Sequence, residues 1–464
     1  MRFISTRGGA PPASFAEALL GGLAPDGGLY NPEVWPRFTP DEIAGFAGRP
    51  YAEVAARILG IFAENDMAPA DVLAACEGAY ASFHHPAVTP LRQLAPDMHL
   101  LELFHGPSLA FKDVAMQLLA RLYEQVLTAT DRTLTIVCAT SGDTGGAAVE
   151  AFRGRAHIRV VVLFPEGRIS EVQRRFMTTS GEANVRALAV AGDFDDCQAI
   201  LKALFRDSAF AREVSLSAVN SINFVRIVAQ SVYYFVAAAA LGAPQRSVSF
   251  AVPTGNFGDA FAGWVAHRMG LPMGRILAAT NSNDILARAL RTGVYERGAL
   301  VPTQSPAMDI QVASNFERLY FEACGRDSAG TRRAFEGFDQ SGVLRLPAPV
   351  LADMRKLLAG VSVDEPETVA AMVGAWKAGL GAMDPHTAVA MAGARKAPAE
   401  NPAPLVILST AHPAKFPHAV MAATGAPATP PAVVTGLAQE QERFDRQPAD
   451  AAAIKAYVRA FVAA

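Results

Sequence analysis

"LTIVCATSGDTGGAAVEAF", residues 134–152, reads as a strand, a tight turn and a helix in immediate succession. Its first six residues form a near-continuous apolar and β-branched run, the pattern of a strand buried on both faces. Thr140, Ser141, Gly142, Asp143, Thr144 and Gly145 make the turn, and the spacing then becomes helical. "SVSFAVPTGNFGDAFAGWVA" (247–266) repeats the pattern through Gly255, Asn256, Phe257, Gly258 and Asp259. In an open α/β sheet such junctions lie at the carboxyl ends of the strands, where ligands bind. Glycines let the backbone come close, and the free N–H groups of a helix start suit a phosphate or carboxylate. Neither turn continues into the GK[ST] of a P-loop, and neither fits a dinucleotide GxGxxG with its following acidic residue.

Working outward, further β-rich runs occur at 158–164, 184–190, 214–220 and 405–410, with helical patterns such as "FDDCQAILKALF" and "FVRIVAQSVYYFVAAAAL" between them. Alternation of buried strands and helices predicts an α/β fold of open twisted parallel sheets flanked by helices. The first hundred residues are mostly helical in pattern. The expected division is therefore an N-terminal mainly helical domain (1–100), a small α/β domain (101–225) and a large α/β domain (226–464), the last also including parts of the N-terminal half. "KAPAENPAP" (396–404) and "TGAPATPPAVV" (424–434) read as loops.

"FHGPSLAFKDVAMQLL" (104–119) places a lysine, Lys112, in the first turn of an apolar helix for which Ser108 is the expected N-cap. A cation there opposes the helix dipole, and partial burial removes its solvation. Both effects favour the neutral amine that a nucleophilic lysine needs.

Each signal has an ordinary explanation when taken alone. A glycine turn can be a connection only, and a helix lysine usually snorkels to solvent. Asn220, Ser221 and Asn223 in "VNSINFVRIV" can simply cap the helix that follows, with Arg226 a surface residue one turn on. His105 and the pair His84–His85 read as structural or exposed. Together, however, an amine and two anion sites on one α/β scaffold suggest a cofactor bearing an aldehyde and a phosphate.

"FHGPSLAFKD", "ATSGDTGGAA", "NSINFVRI" and "PTGNFGDAFAG" in this order resemble the threonine synthases, pyridoxal-phosphate enzymes of the tryptophan-synthase-β-like fold (fold type II). "GLAPDGGLYNP" (22–32), "DPHTAVA" (384–390) and "LSTAHPAKF" (408–416) are similar to further segments of the family, in its bacterial and fungal branch. The resemblance implies that Lys112 is the Schiff-base lysine and proton shuttle. Gly255, Asn256, Phe257, Gly258 and Asp259 would cup the cofactor phosphate, mainly by backbone N–H groups, and Thr410 would meet the pyridine nitrogen. Thr140, Ser141 and Thr144 would hold the substrate α-carboxylate, and Asn220, Ser221, Asn223 and Arg226 the substrate phosphate. Many relatives on this fold carry Asn at the position of Asp143, where it contacts the cofactor's ring oxygen. The sequence leaves open whether Asp143, Asn223 or a water does so here.

The implied reaction converts O-phospho-L-homoserine and water to L-threonine and phosphate. A phospho-lyase of the same family would release phosphate without threonine. Dehydratases and sulfhydrylases on this fold have no use for a second anion site. A non-catalytic phosphometabolite-binding protein, the rival from another class, would hold no lysine-bound chromophore. A net charge of −3 gives no reason to expect nucleic acid or an acidic membrane as partner. The four cysteines show no CxxC or metal-ligand spacing, and the N-terminus lacks the apolar core of a secretory signal. The expectation is a cytoplasmic enzyme, monomer or homodimer, with pyridoxal 5'-phosphate and no metal.

Overall fold

The opening stretch folds as its pattern predicts: strand Leu134–Ala139 is buried along its whole length, and helix Asp143–Phe152 follows the turn. A computed structural model of the chain describes residues 1–217, 219–397 and 403–463. Contacts cluster into two compact units, each assembled from two stretches of chain. Met1–His105 and Ser221–Ala428 form the larger unit, Gly106–Asn220 and Thr429–Ala464 the smaller. The three consecutive segments drawn from the sequence divide the chain by pattern, these two units by contact.

The smaller unit is built on a five-stranded parallel sheet, in the order Asp445–Pro448, Val185–Ala191, Ile158–Pro165, Leu134–Ala139 and Leu216–Ser217. Val137, Val161, Leu163 and Leu188 face a core closed by Ile200 and Leu204 of helix Phe194–Arg206 and by Ile454 and Val458 of helix Ala451–Ala463. The intervening strand residues face the other way. There Val162 lies so close to Gly145 that an added Cβ would be 2.8 Å away. Burial on both faces is the reason the inner strands Leu134–Ala139, Ile158–Pro165 and Val185–Ala191 read as mainly apolar runs. The run at 214–220 yields only the short strand Leu216–Ser217, with Ala218 outside the described residues.

The larger unit carries a six-stranded sheet, in the order Leu358–Ser362, Met273–Thr280, Val248–Pro253, Leu405–Ser409, Met98–Glu102 and Leu91–Ala95. All pairs are parallel except the last. The two strands expected from the sequence, at 247–252 and 405–410, are neighbours at its centre. The N-terminal residues form helices, among them Tyr51–Ala63, and a small antiparallel pair of Phe3–Ser5 with Tyr30–Pro32. Phe3 and Phe62 lie 5.2 and 5.7 Å from Phe224, the first residue of helix Phe224–Ala240.

Of the two loop expectations, one changes. Residues 398–402 of the first proline-rich stretch lie outside the described residues. The second ends in a helix, Ala432–Leu437, that starts directly after Pro431, because proline's fixed φ suits the approach to a helix start.

Candidate active site

In the smaller unit, helix Lys112–Thr130 begins at Lys112 itself, with Phe111 in the cap position and no side-chain cap bond. Ser108 is therefore not the N-cap. Its N–H and Oγ instead donate to the two oxygens of Asp113, at 2.8 and 2.7 Å. Asp113, in the first helical turn where a carboxylate suits the dipole, thus ties down the loop that precedes Lys112. Gly106 is required beneath it, since a Cβ there would sit 2.3 Å from that of Asp113.

The Lys112 side chain is 11% exposed, with Nζ 3.5 Å from Asp143 Oδ2 and 4.8 Å from the centre of the Phe111 ring. An opposite charge at this distance favours the ammonium, whereas burial and the helix dipole favour the neutral amine. Burial and dipole therefore do not act on this amine alone: the lysine has a built-in counter-charge. Gln173 Nε2 donates to Asp143 Oδ1 at 3.1 Å and fixes that carboxylate. Gly142, at φ +130°, leaves the room that Gln173 fills, because a Cβ would lie 2.5 Å from its Cδ. Thr140 Oγ1 accepts from the N–H groups of Gly142 and Gly145, both at 2.9 Å, so this hydroxyl shapes the turn. Ser141 and Thr144 are half-buried beside it.

In the larger unit, strand Val248–Pro253 leads through Thr254–Phe257 into helix Gly258–Arg268. Gly255 packs against the 3-10 turn Pro306–Met308, where a Cβ would meet Ala307 O at 2.8 Å. Phe257 takes the left-handed conformation at φ +63°, which turns the chain into the helix, and its ring is buried near Phe316. The first-turn N–H groups of that helix have no acceptor within it. The Asp259 carboxylate is engaged by the hydroxyls of Tyr233 and Tyr234, at 2.5 and 2.9 Å. Burial first, then the charge of Asp259, holds both phenols well above their ordinary range, so they stay as donors. An anion at the helix start would meet N–H groups, with this carboxylate engaged by two phenolic donors.

Thr410 follows strand Leu405–Ser409 and is buried beyond the same sheet edge as Gly255, since the two strands run parallel and paired. The hydroxyl of its neighbour Ser409 lies 3.0 Å from Thr387 Oγ1, which also bonds Asp384. Asp384 Oδ1 lies 3.0 Å from His386 Nδ1, and His386 Nε2 accepts from the Ala307 N–H at 3.3 Å. One buried chain of hydrogen bonds therefore links the residue before Thr410 to the turn behind Gly255. It contains the "DPHT" segment.

Asn223 is the N-cap of helix Phe224–Ala240. Its Oδ1 accepts from Val225 N–H at 3.0 Å, and its Nδ2 donates to Leu19 O at 2.8 Å. The capping alternative holds for this asparagine. Arg226, in the first turn, is buried at 3% exposure, so the alternative of a surface arginine does not hold. Ser221 belongs to the larger unit and Asn220 ends a segment of the smaller; both are half-buried.

Sequence reasoning missed Asp113, Gln173, Asn315 and Arg318. Gln173 had a visible signal, the S-x-x-Q capping box from Ser170, but its second contact with Asp143 had none. Asn315 and Arg318 carry no motif. Among the described residues no group of three or more His, Cys, Asp or Glu side chains could hold a metal, and no helix is long and apolar enough to cross a membrane.

Comparison with known proteins adds an independent line. Residues 2–80 match the family "Threonine synthase N terminus", 84–410 "Pyridoxal-phosphate dependent enzyme" and 387–458 "Threonine synthase, C-terminal". The chain is 46% identical to a threonine synthase of Pseudomonas aeruginosa over 99% of its length and 98% of the relative's. It superposes on the crystal structure of a PLP-bound threonine synthase from Brucella melitensis with a TM-score of 0.97, at 49% identity and full coverage of both chains. For the yeast threonine synthase structure the TM-score is 0.94 at 35% identity, covering 100% of this chain and 99% of that one.

Proposed function

The chain belongs to the threonine synthase family, and on that premise we propose that Lys112 is the catalytic amine, with Asp143 as its proton-holding partner. The activity is that of a threonine synthase, a pyridoxal-5'-phosphate-dependent lyase of threonine biosynthesis. O-phospho-L-homoserine and water become L-threonine and phosphate.

The residues present suit the cofactor. The N–H groups of Gly255–Asp259 would hold its phosphate, in a loop that packs closely on Ala307 because Gly255 lacks a Cβ and whose Asp259 carboxylate bonds two tyrosines. The Thr410 hydroxyl would meet the ring nitrogen as a neutral partner, and Lys112 would hold the aldehyde carbon. When bound, pyridoxal phosphate supplies an electron sink for the carbons next to the substrate's amino group.

Everything else falls to the chain's own groups. Lys112 Nζ removes one proton from the substrate's Cα and one from Cβ, then delivers one to Cγ, which becomes the methyl carbon after phosphate leaves, and one back to Cα. Asp143, oriented by Gln173, stabilises the amine each time it is charged. Ser141, Thr144 and the N–H groups of the turn shaped by Thr140 would bind the α-carboxylate. Arg226, with Asn220 and Ser221, would hold the substrate phosphate through its departure from Cγ, a guanidinium fork being matched to that oxyanion. Asn223 caps the helix that carries Arg226 and would in that way help place the arginine for the substrate phosphate. Water then adds at Cβ. We read the enzyme as cytoplasmic, a monomer or homodimer, with neither nucleic acid nor membrane as partner. The net charge of −3 supports the last point.

The observation that carries the residue assignment is the partly buried Lys112 amine at 3.5 Å from a carboxylate that is itself held by Gln173. Borohydride reduction of the loaded enzyme, followed by digestion and mass spectrometry, should place the cofactor on the peptide containing Lys112. The Lys112→Ala variant should bind no chromophore and turn over at under a thousandth of the wild-type rate. Cofactor fixed to another lysine would overturn the assignment.

A further inference from the structure

Helix Phe316–Ala323 carries an arginine with no place in the reaction as described so far. Among the described residues Arg318 is the largest fully buried side chain, and it sits in the first turn, where the helix dipole disfavours a cation. Burial lowers its guanidinium to about 9. All its hydrogen bonds among the described residues go to neutral oxygens. Nε donates to Tyr30 O at 3.1 Å and Asn31 Oδ1 at 3.2 Å, Nη2 to Ile222 O at 2.6 Å, and Nη1 to Asn315 Oδ1. The neighbouring carboxylate of Glu317 is bonded to Arg7 at 3.1 and 2.8 Å and to Thr6 at 2.6 Å. A buried charge of this kind is poor value for stability alone, because well-packed apolar residues commonly do as well.

Its neighbour Asn315 reaches both phosphate segments. The Asn315 N–H and Nδ2 donate to Asn256 O in the "GNFGD" loop, at 3.1 and 3.2 Å. Nδ2 also donates to Ser221 O in the "NSIN" turn at 3.1 Å. Arg318 then holds the next carbonyl of that turn, Ile222 O, and locks the Asn315 amide so that its NH₂ faces both loops. Through Tyr30 and Asn31 it further anchors the "GLYNP" segment. Two segments distant in the chain thus meet at one guanidinium, and the third, the "GNFGD" loop, is tied to it through Asn315.

We propose that Asn315 and Arg318 are positioning residues that fix the cofactor-phosphate loop relative to the substrate-phosphate turn, with Arg318 as the stationary cation behind them. This rests on the assignment of those two segments to phosphates. Asn315 sets the distance between the loops, and Arg318 makes that setting rigid. The substrate phosphate then meets an arranged site rather than one it must organise, which lowers the cost of binding.

The test uses Asn315→Ala and Arg318→Lys beside the wild-type holoenzyme. Readouts are unfolding temperature, cofactor absorption, KM and kcat for O-phospho-L-homoserine, and binding of inorganic phosphate by calorimetry. Folded variants should show KM and the phosphate dissociation constant raised at least tenfold, with kcat lowered less than threefold. Arg318→Met should be worse than Arg318→Lys in phosphate binding, since the lysine keeps the charge. Variants with KM and phosphate affinity within twofold of wild type would overturn the proposal. So would loss of folding in both Asn315→Ala and Arg318→Lys, which would mark a structural role only. Wild-type protein that releases no threonine would count against the reaction, not against this hub, because phosphate binding reads the hub directly.

Discussion

Lys112 was conspicuous in the sequence because an ammonium at a buried helix start is opposed by two forces at once; what the sequence hid was Asp143 at 3.5 Å, thirty-one positions away. Contacts at such separations leave no periodicity to read. The same holds for Gln173 with Asp143 and for Arg318 with Ile222, whereas Asn223, whose cap bond is local, was legible as a cap. If Asp143 holds the lysine's proton, Asp143→Asn should lower kcat at least tenfold while KM for O-phospho-L-homoserine changes less than threefold. Gln173→Leu, which only releases the carboxylate, should have the same sign and a smaller size. Steady-state kinetics decide it, and an Asp143→Asn enzyme of wild-type kcat would contradict the role. A second prediction concerns Glu150 on helix Asp143–Phe152. Burial pushes its carboxyl up to about 7, in spite of Arg153 at 3.0 Å, and Asp113 adds to the rise. Between its ordinary value and about 7 the folded state keeps a proton that the unfolded chain has lost. The stability this provides is present at low pH and disappears as pH rises through 7, on the order of 3 kcal/mol in all. Glu150→Gln should therefore unfold at a higher temperature than wild type at pH 8 and at nearly the same temperature at pH 5. An equal or lower unfolding temperature at pH 8 would refute it.

At the scale of elements, central strands were legible because burial on both faces leaves an apolar run with nothing to interrupt it. Leu134–Ala139 and Val248–Pro253 are buried throughout, and Ile158–Pro165 and Val185–Ala191 follow the same rule over most of their length, with half-buried Arg159 and Arg186 near their starts. Asp445–Pro448 did not show itself, being a largely exposed edge strand with a polar sequence. Leu358–Ser362 was hidden by Gly360, which is there because a Cβ would come within 2.7 Å of Ala287 Cα on the helix packed above it. The start of the Lys112 helix was misplaced because Ser108 has the chemistry of a cap but bonds Asp113 instead. Turn glycines offer a prediction of their own. Gly142 combines φ +130° with the Gln173 side chain in the space of a Cβ, whereas Gly167, at φ +70°, has nothing within 4 Å. Gly167→Ala should cost about 1 kcal/mol from backbone conformation alone. Gly142→Ala should cost more, about 3 kcal/mol, and should also reduce kcat by displacing the clamp on Asp143. Denaturant unfolding and turnover together test this, and equal behaviour of the two variants would contradict it.

For the whole molecule, the motifs were legible in order but not in their grouping. Two units each take two separate stretches of the chain, and neither the return of residues 429–464 to the smaller unit nor the membership of residues 1–105 in the larger carries a local sequence signal. Such grouping is set by which apolar faces find each other, as when Ile454 and Val458 close the core over Leu204, a quarter of a thousand residues earlier in the chain to within about ten. The segments that resemble the family divide accordingly, Lys112 and the "SGDTG" turn in one unit, the "GNFGD" loop, Arg226 and Thr410 in the other. The functional account requires all of them to act on one substrate. The most direct measurement is to incubate the cofactor-loaded protein with O-phospho-L-homoserine and follow phosphate and threonine together. The account predicts release of the two in equal amounts, abolished in Lys112→Ala. Phosphate without threonine, or neither product from a protein that visibly holds its cofactor, would contradict it.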